Sequence, residues 1–251
     1  MKHLEVLFSP AEQLPLPERD LSETSCVVLD VLRATSTILE ALAQGATAIR
    51  PVAEIEEALE WRRNDPSVLL AGERNGLRID ARQAGGVAFD FGNSPREFER
   101  SRVEDRTIVM TTTNGTRALR ACAAAANVWV TALTNVAATA RRLEKDPTPS
   151  VLLVCSGTGE LAAYEDLLGA GALVDRILER HPRLQAGDSA HAVRAIFRAG
   201  RADLLGAVQQ ASNARRLLAI PALAADVAAC LELDRHSFAA QLTSDGLIER
   251  V

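Results

Sequence analysis

Lysine is nearly absent from this chain. Only two of its 28 basic residues are lysine, Lys2 and Lys145, and neither follows a glycine-rich stretch. A GxxxxGK[ST] phosphate loop is therefore absent, and a Schiff-base lysine is disfavoured. The four histidines form no HExxH, and no Cys/His spacing suits zinc. The cysteines Cys26, Cys122, Cys155 and Cys230 make no CxxC pair. Cys26, Cys122 and Cys230 stand in apolar contexts, where buried, reduced thiols are expected. A cysteine-phosphatase loop needs an arginine six residues after its cysteine, and Leu161 stands there relative to Cys155. An aspartyl-phosphate DxDx[TV] signature fails because Val31 and Leu32 follow Asp30. No apolar run approaches the ~20 residues of a membrane helix, and Met1-Lys2-His3-Leu4-Glu5 lacks a signal-peptide core. A net charge of −5 argues against bulk binding to nucleic acid or anionic membrane. The expectation is a cytoplasmic protein without either partner.

What is present is a recurrence. Three apolar strands run into turns rich in Ser, Thr, Asn or Gly and then into helices. They are Val27–Asp30 into Arg33–Thr37, Ile108–Met110 into Thr111–Arg117, and Val151–Val154 into Cys155–Gly159. Helix starts carry unpaired N–H donors and the positive end of the macrodipole, which favour anions. Arg33 and Arg117 stand beside two of these turns, so a phosphate or similar anion is the expected ligand.

Apolar runs of strand length predict strands at Leu4–Phe8, Cys26–Val31, Ala48–Val52, Val68–Ala71, Thr107–Thr111, Val128–Ala132 and Val151–Cys155. Helices are predicted at Ser36–Gln44, Ile55–Arg63, Thr116–Ala125 and Val136–Glu144. This is the rhythm of βαβ units: a three-layer α/β fold with a mostly parallel sheet covered by helices. Ligands of such sheets bind at the carboxyl ends of the strands, where all three turns fall. From Tyr164 onward the chain reads almost wholly helical, giving a helical C-terminal part. Residues 1–251 are read as one α/β domain, with Asp146–Ser150 the one place that suggests a subdivision. Gly72–Ser94 reads as a long loop or hairpin, a kind of segment that tends to be functional. Leu204, Leu205, Leu217, Leu218, Ile220 and Leu223 suggest an apolar tail surface and a homodimer.

Gly157-Thr158-Gly159-Glu160-Leu161-Ala162 matches a dinucleotide fingerprint, but the required second strand ending in an acid does not follow. The acids are more informative. Asp30 ends an apolar strand, where an unpaired carboxylate is costly; it either ligates a metal, pairs with Arg33 or caps the next helix. Glu73 projects from the end of another strand and either binds metal or pairs with Arg74. Glu165 and Asp166 open a helix, where the dipole favours acids in any protein. Cys155 reads as a small loop residue rather than a nucleophile.

Taken together, Asp30-Val31-Leu32-Arg33-Ala34-Thr35-Ser36-Thr37, Gly72-Glu73-Arg74, Gly92-Asn93-Ser94-Pro95, Thr111-Thr112-Thr113-Asn114-Gly115-Thr116 and Cys155-Ser156-Gly157 with Glu165-Asp166 resemble the signature blocks of the 2-phosphosulfolactate phosphatase (ComB) family. The tail is similar but looser, through Ser212, Asp226, Cys230 and Asp234. The resemblance implies an α/β fold and Mg²⁺-dependent hydrolysis of the phosphate ester of a small sulfonated hydroxy acid, in coenzyme M biosynthesis.

The residues and the resemblance then suggest one arrangement. Asp30, Glu73, Glu165 and Asp166 would hold Mg²⁺, directly or through water. Asp30, Arg33, Glu73 and Asp166 would form the catalytic set. Arg33 and Arg117, with N–H groups at Thr35–Thr37 (Thr35, Ser36) and Asn114–Thr116 (Asn114, Gly115, Thr116), would hold the phosphate oxygens, and Ser94, Thr112, Thr113, Ser156 and Gly157 would bind the substrate beside them. Arg74 and Asn93 would receive the carboxylate or sulfonate. The alternatives are a phosphatase for another phosphorylated acid, a non-catalytic anion-binding protein, and an isomerase or transferase on a similar sheet.

Overall fold

The computed structural model describes residues 1–251. Eleven strands form one mixed sheet: β1 (His3–Leu7), β2 (Thr24–Leu29), β3 (Ala48–Pro51), β4 (Leu69–Arg74), β5 (Leu77–Arg78), β6 (Thr107–Thr111), β7 (Asn127–Thr131), β8 (Ser150–Cys155), β9 (Gln185–Ala186), β10 (Ala240–Leu242) and β11 (Ile248–Arg250). Their order is β5-β4-β6-β3-β11-β10-β7-β2-β8-β1-β9. Two parallel blocks, β4-β6-β3 and β7-β2-β8-β1-β9, are joined through the antiparallel hairpin β10–β11. All seven predicted strands are present, and helix Val136–Glu144 has the predicted bounds. The mostly parallel, three-layer α/β expectation holds.

Alternation along the strands divides the core. Val27, Leu29 and Leu153 face one layer with helix Tyr164–Arg180. Cys26, Val28, Leu152 and Val154 face the other, and there they meet Ile108 and Met110 of β6. Helices Ala34–Ala43 and Gly115–Ala121 fill that shared layer through Ile38, Leu39, Leu42, Ala118 and Leu119. Leu70 and Val109 point to a third cluster, with Ala58 of helix Ile55–Asn64.

Because three antiparallel pairings separate β3 from β7, the two blocks run in opposite senses. The carboxyl ends of β2, β4, β6 and β8 nevertheless come together around the starts of the two shared helices, where Thr113 bonds Glu73, Asn114 bonds the Ser156 carbonyl and Gly115 lies against Asp30. A Cβ at Gly115 would lie 2.6 Å from Asp30 Oδ2 and 2.6 Å from Ala34 Cβ, so only glycine permits this approach.

The helical reading of the tail needs correction. Helices Asp188–Gly200, Leu204–Val208, Ser212–Leu218 and Ala224–Cys230 are present, but so are β9 and the hairpin β10–β11 in the middle of the sheet. The hairpin strands have three residues each, too few to display a period. Their turn contains Asp245-Gly246, with Gly246 at φ +75°. No helix is long and apolar enough to cross a membrane.

Candidate active site

The three turns do bind anions, and the anions are the chain's own carboxylates. At the end of β2, the Ala34 N–H donates to Asp30 Oδ1 at 3.1 Å. After β6, the Thr113 N–H and hydroxyl donate to Glu73 Oε1 at 2.9 and 2.8 Å, and the Gly76 N–H donates to Glu73 Oε2 at 2.6 Å. After β8, the Gly157 N–H donates to Asp166 Oδ2 at 3.0 Å, while the Val31 N–H donates to Asp166 Oδ1 at 2.7 Å. Charge-assisted bonds of this kind are the strong ones. They fix three acids from three parts of the chain around one place.

Burial makes Asp30, Asp166 and the neighbouring Glu165 unusual. It pushes the Asp30 carboxyl up to about 7, with the neighbouring charges of Glu73 and Glu165 adding to it against the Ala34 amide and Arg33. Asp166 is driven well above the usual carboxylate range by burial, then by Asp30 and Glu165. Burial also raises Glu165, and its bond from Asn213 and the charge of Arg216 oppose the rise. Glu165 Oε1 accepts from Asn213 Nδ2 at 2.9 Å, whereas Oε2 is buried without a partner. Asp30 Oδ2 likewise receives no protein donor.

A cleft of about 280 Å³ opens beside Asp30 and Glu73, lined also by Arg33, Asn93, Thr113, Asn114, Gly157, Asn213 and Arg216. The Arg33 guanidinium is buried and donates to Asp226 Oδ2 and to the Gly76 carbonyl, each at 2.6 Å. Asp226 also accepts from the Ser94 hydroxyl at 2.7 Å. Asn93 Oδ1 and Ser156 Oγ are buried without partners. Asn114 Nδ2 donates to the carbonyls of Ser156 and Gly159, tying the second turn to the third.

Several predicted ligand contacts are spent elsewhere. The Thr35 hydroxyl donates to the Asp30 carbonyl and the Ser36 hydroxyl to that of Val31. Thr112 and Thr116 bond one another, through the Thr112 N–H to Thr116 Oγ1 and the Thr116 N–H to Thr112 Oγ1. Gly115 supplies clearance beside Asp30. The pairing of Asp30 with Arg33, or of Glu73 with Arg74, does not form. Asp30 caps the helix start instead, and Arg74 donates to the Glu73 carbonyl and the Thr111 hydroxyl. Arg117 is corrected outright: its side chain lies at the surface on Glu54, outside the cleft, because the third residue of its helix points toward helix Ile55–Asn64. Cys155 is buried, and burial, aided by Asp166 and Glu12, pushes its thiol far up, which suits a packed thiol and not a nucleophile.

Asn213 and Arg216 carry no sequence signal of chemistry. They reach the cleft on helix Ser212–Leu218 from more than 130 positions beyond Glu73 and Asp30. Of the looser tail positions, Asp226 holds Arg33, and Asp234 accepts from the Ala137 N–H and pairs with Arg176.

The comparisons converge. The family model of 2-phosphosulpholactate phosphatase matches residues 12–245. A protein of Caldanaerobacter subterraneus subsp. tengcongensis is 37% identical over 227 residues, 90% of each chain. One from Synechococcus sp. (strain JA-3-3Ab) is 39% identical over 225 residues, covering 88% of this chain and 90% of its own. A Thermotoga maritima protein is 37% identical over 196 residues, 78% of this chain and 79% of its own. Each carries the name "Probable 2-phosphosulfolactate phosphatase". With carboxylates pinned at converging strand ends and a model match across nearly all its length, this chain belongs to the 2-phosphosulfolactate phosphatase family.

Proposed function

We propose that the protein is a Mg²⁺-dependent phosphatase that hydrolyses 2-phosphosulfolactate to sulfolactate and inorganic phosphate, in the coenzyme M type of biosynthesis. The observation that carries this reading is the set of buried acids fixed by turn amides at the edge of an arginine-lined cleft. Asp30 Oδ2 and Glu165 Oε2, the oxygens without protein donors, are the direct ligands we assign. Glu73 and Asp166 hold the loops and complete the negative field. No trio of His, Cys, Asp or Glu side chains is gathered tightly enough to cage an ion alone. A hard cation that takes one or two carboxylates and shares its remaining positions with water and phosphate fits this donor set. When bound, it would polarise the phosphoryl group.

The chain's own groups do the rest. Arg33, rigid between Asp226 and Gly76, presents its remaining guanidinium donors to the phosphate oxygens, and such clamping is most of what phosphoryl transfer demands. In the net reaction a water oxygen bonds phosphorus, the ester P–O bond breaks, and one water proton ends on the sulfolactate oxygen.

Phosphate release from 2-phosphosulfolactate should require Mg²⁺ and stop with EDTA. Asp30→Asn should lower turnover about 10³-fold with an unchanged circular dichroism spectrum. Full activity in EDTA, or in the variant, would overturn the assignment. Tight phosphate binding with no turnover of any phosphorylated 2-hydroxy acid would favour an anion-binding protein instead.

A further inference from the structure

Arg33 and Arg216 both line the cleft but differ in what already holds them. Arg33 is matched by the buried carboxylate of Asp226. Arg216 makes no ion pair; its side chain donates to a neutral acceptor, Asn213 Oδ1, at 2.7 Å. An arginine without an acidic partner is ordinary on an open surface. This one is exposed as well, but its guanidinium is held at the wall of the site. Asn213 is itself anchored by donating to the Leu32 carbonyl at 2.7 Å and to Glu165 Oε1 at 2.9 Å. On the other side, Gly76 at φ +80° leaves the space that Arg216 fills: a Cβ there would stand 2.6 Å from Arg216 Nη1. The same glycine donates to Glu73 and accepts from Arg33.

We propose that Arg216 receives the second anionic group of the substrate, the carboxylate or sulfonate carried beside the phosphate, and so sets a preference for acidic phosphoesters. This rests on the phosphatase reading above. A phosphoester bearing further acid groups brings more negative charge than Arg33, already neutralised by Asp226, can offset. Arg216 is the cation in the cleft wall that makes no ion pair, Glu165 feeling its charge only from beyond contact distance. Arg74, whose guanidinium is spent on the Glu73 carbonyl and Thr111, does not line the cleft.

The test compares Arg216→Met and Arg216→Lys with wild type on three esters: 2-phosphosulfolactate, 2-phospholactate, which lacks the sulfonate, and 2-sulfoethyl phosphate, which lacks the carboxylate. The methionine variant should lose about 10–100-fold in kcat/KM on 2-phosphosulfolactate, chiefly through KM. It should lose similarly on only one of the single-acid esters and stay within about threefold on the other. The affected ester identifies which acid group Arg216 holds. Lysine should restore part of the loss. Loss on both single-acid esters, on neither, or no loss on 2-phosphosulfolactate overturns the proposal. Should wild type release phosphate from none of the three, the phosphatase reading fails by itself, and sulfolactate binding by calorimetry decides on Arg216. A Kd about tenfold weaker in the methionine variant supports it; an unchanged Kd, or no binding by wild type, overturns it.

Discussion

The turns after β2, β6 and β8 and the arm formed by residues 212–226 meet at one cleft, yet they handle charge in opposite ways. In the turns, backbone N–H groups are closed onto Asp30, Glu73 and Asp166, so the positive ends of the local dipoles are already answered from inside the protein. The arm brings a buried acid, Asp226, to Arg33 and leaves its own Arg216 without an acidic partner. Turns rich in hydroxyls and glycine therefore need not present their donors to a ligand. Here they act as clamps for acids, and in the function proposed above recognition of the outside anion passes to arginine side chains.

The sharpest way to break the contrast is at Asp226. Asp226→Ala leaves the Arg33 guanidinium buried without its counter-charge, which typically costs about 3–5 kcal/mol. Chemical denaturation should show a loss of that order, accompanied by loss of turnover. A near-neutral change would mean that Arg33 finds another partner.

A smaller effect should come from emptying the first turn. The Asp30 carboxyl is raised to about 7 from an ordinary value of 3.8, so its neutral form is the one the fold favours. The stability it contributes is full below about 4 and is lost as pH rises through about 7. In metal-free protein, Asp30→Asn should therefore melt at least about 3 °C above wild type at pH 8, with the gap closing toward pH 4. Equal melting temperatures at pH 8 would show that the Ala34 amide and Arg33 outweigh burial.

The smallest effect is expected at Arg117, which stands beside the second turn in sequence but pairs with exposed Glu54. Exposed pairs contribute about 0–1 kcal/mol. Arg117→Ala should leave kcat/KM within about twofold; a tenfold loss would return this residue to the phosphate cradle.

These outcomes also measure how far the sequence can be read. Continuous apolar runs marked β2, β4, β6 and β8, and Asp30 and Glu73 at the ends of two of them stood out, because a carboxylate after an apolar strand has few cheap explanations. Ser, Thr and Asn pointed to the turns but not to what fills them, since a hydroxyl or amide donates equally well to a neighbour or a ligand. The direction of Arg117 depended on helix Ile55–Asn64 standing nearby, which periodicity does not encode. Asn213 and Arg216 were silent because an ordinary amphipathic helix carries them, and only tertiary packing brings it to Glu165 and Gly76.

The hairpin β10–β11 gives the molecule a schedule. The strands that present Asp30, Glu73 and the turns at Thr113 and Gly157 are all present in the chain by Cys155, yet β3 and β7 are bridged only by residues 240–250. On a ribosome working at about 5–20 residues per second, several seconds separate the making of the two blocks from their joining. Pairings this distant in sequence form slowly. The half of the cleft carried by β4 and β6, with Glu73, is thus joined through the sheet to the half carried by β2 and β8, with Asp30, only once the hairpin has been made.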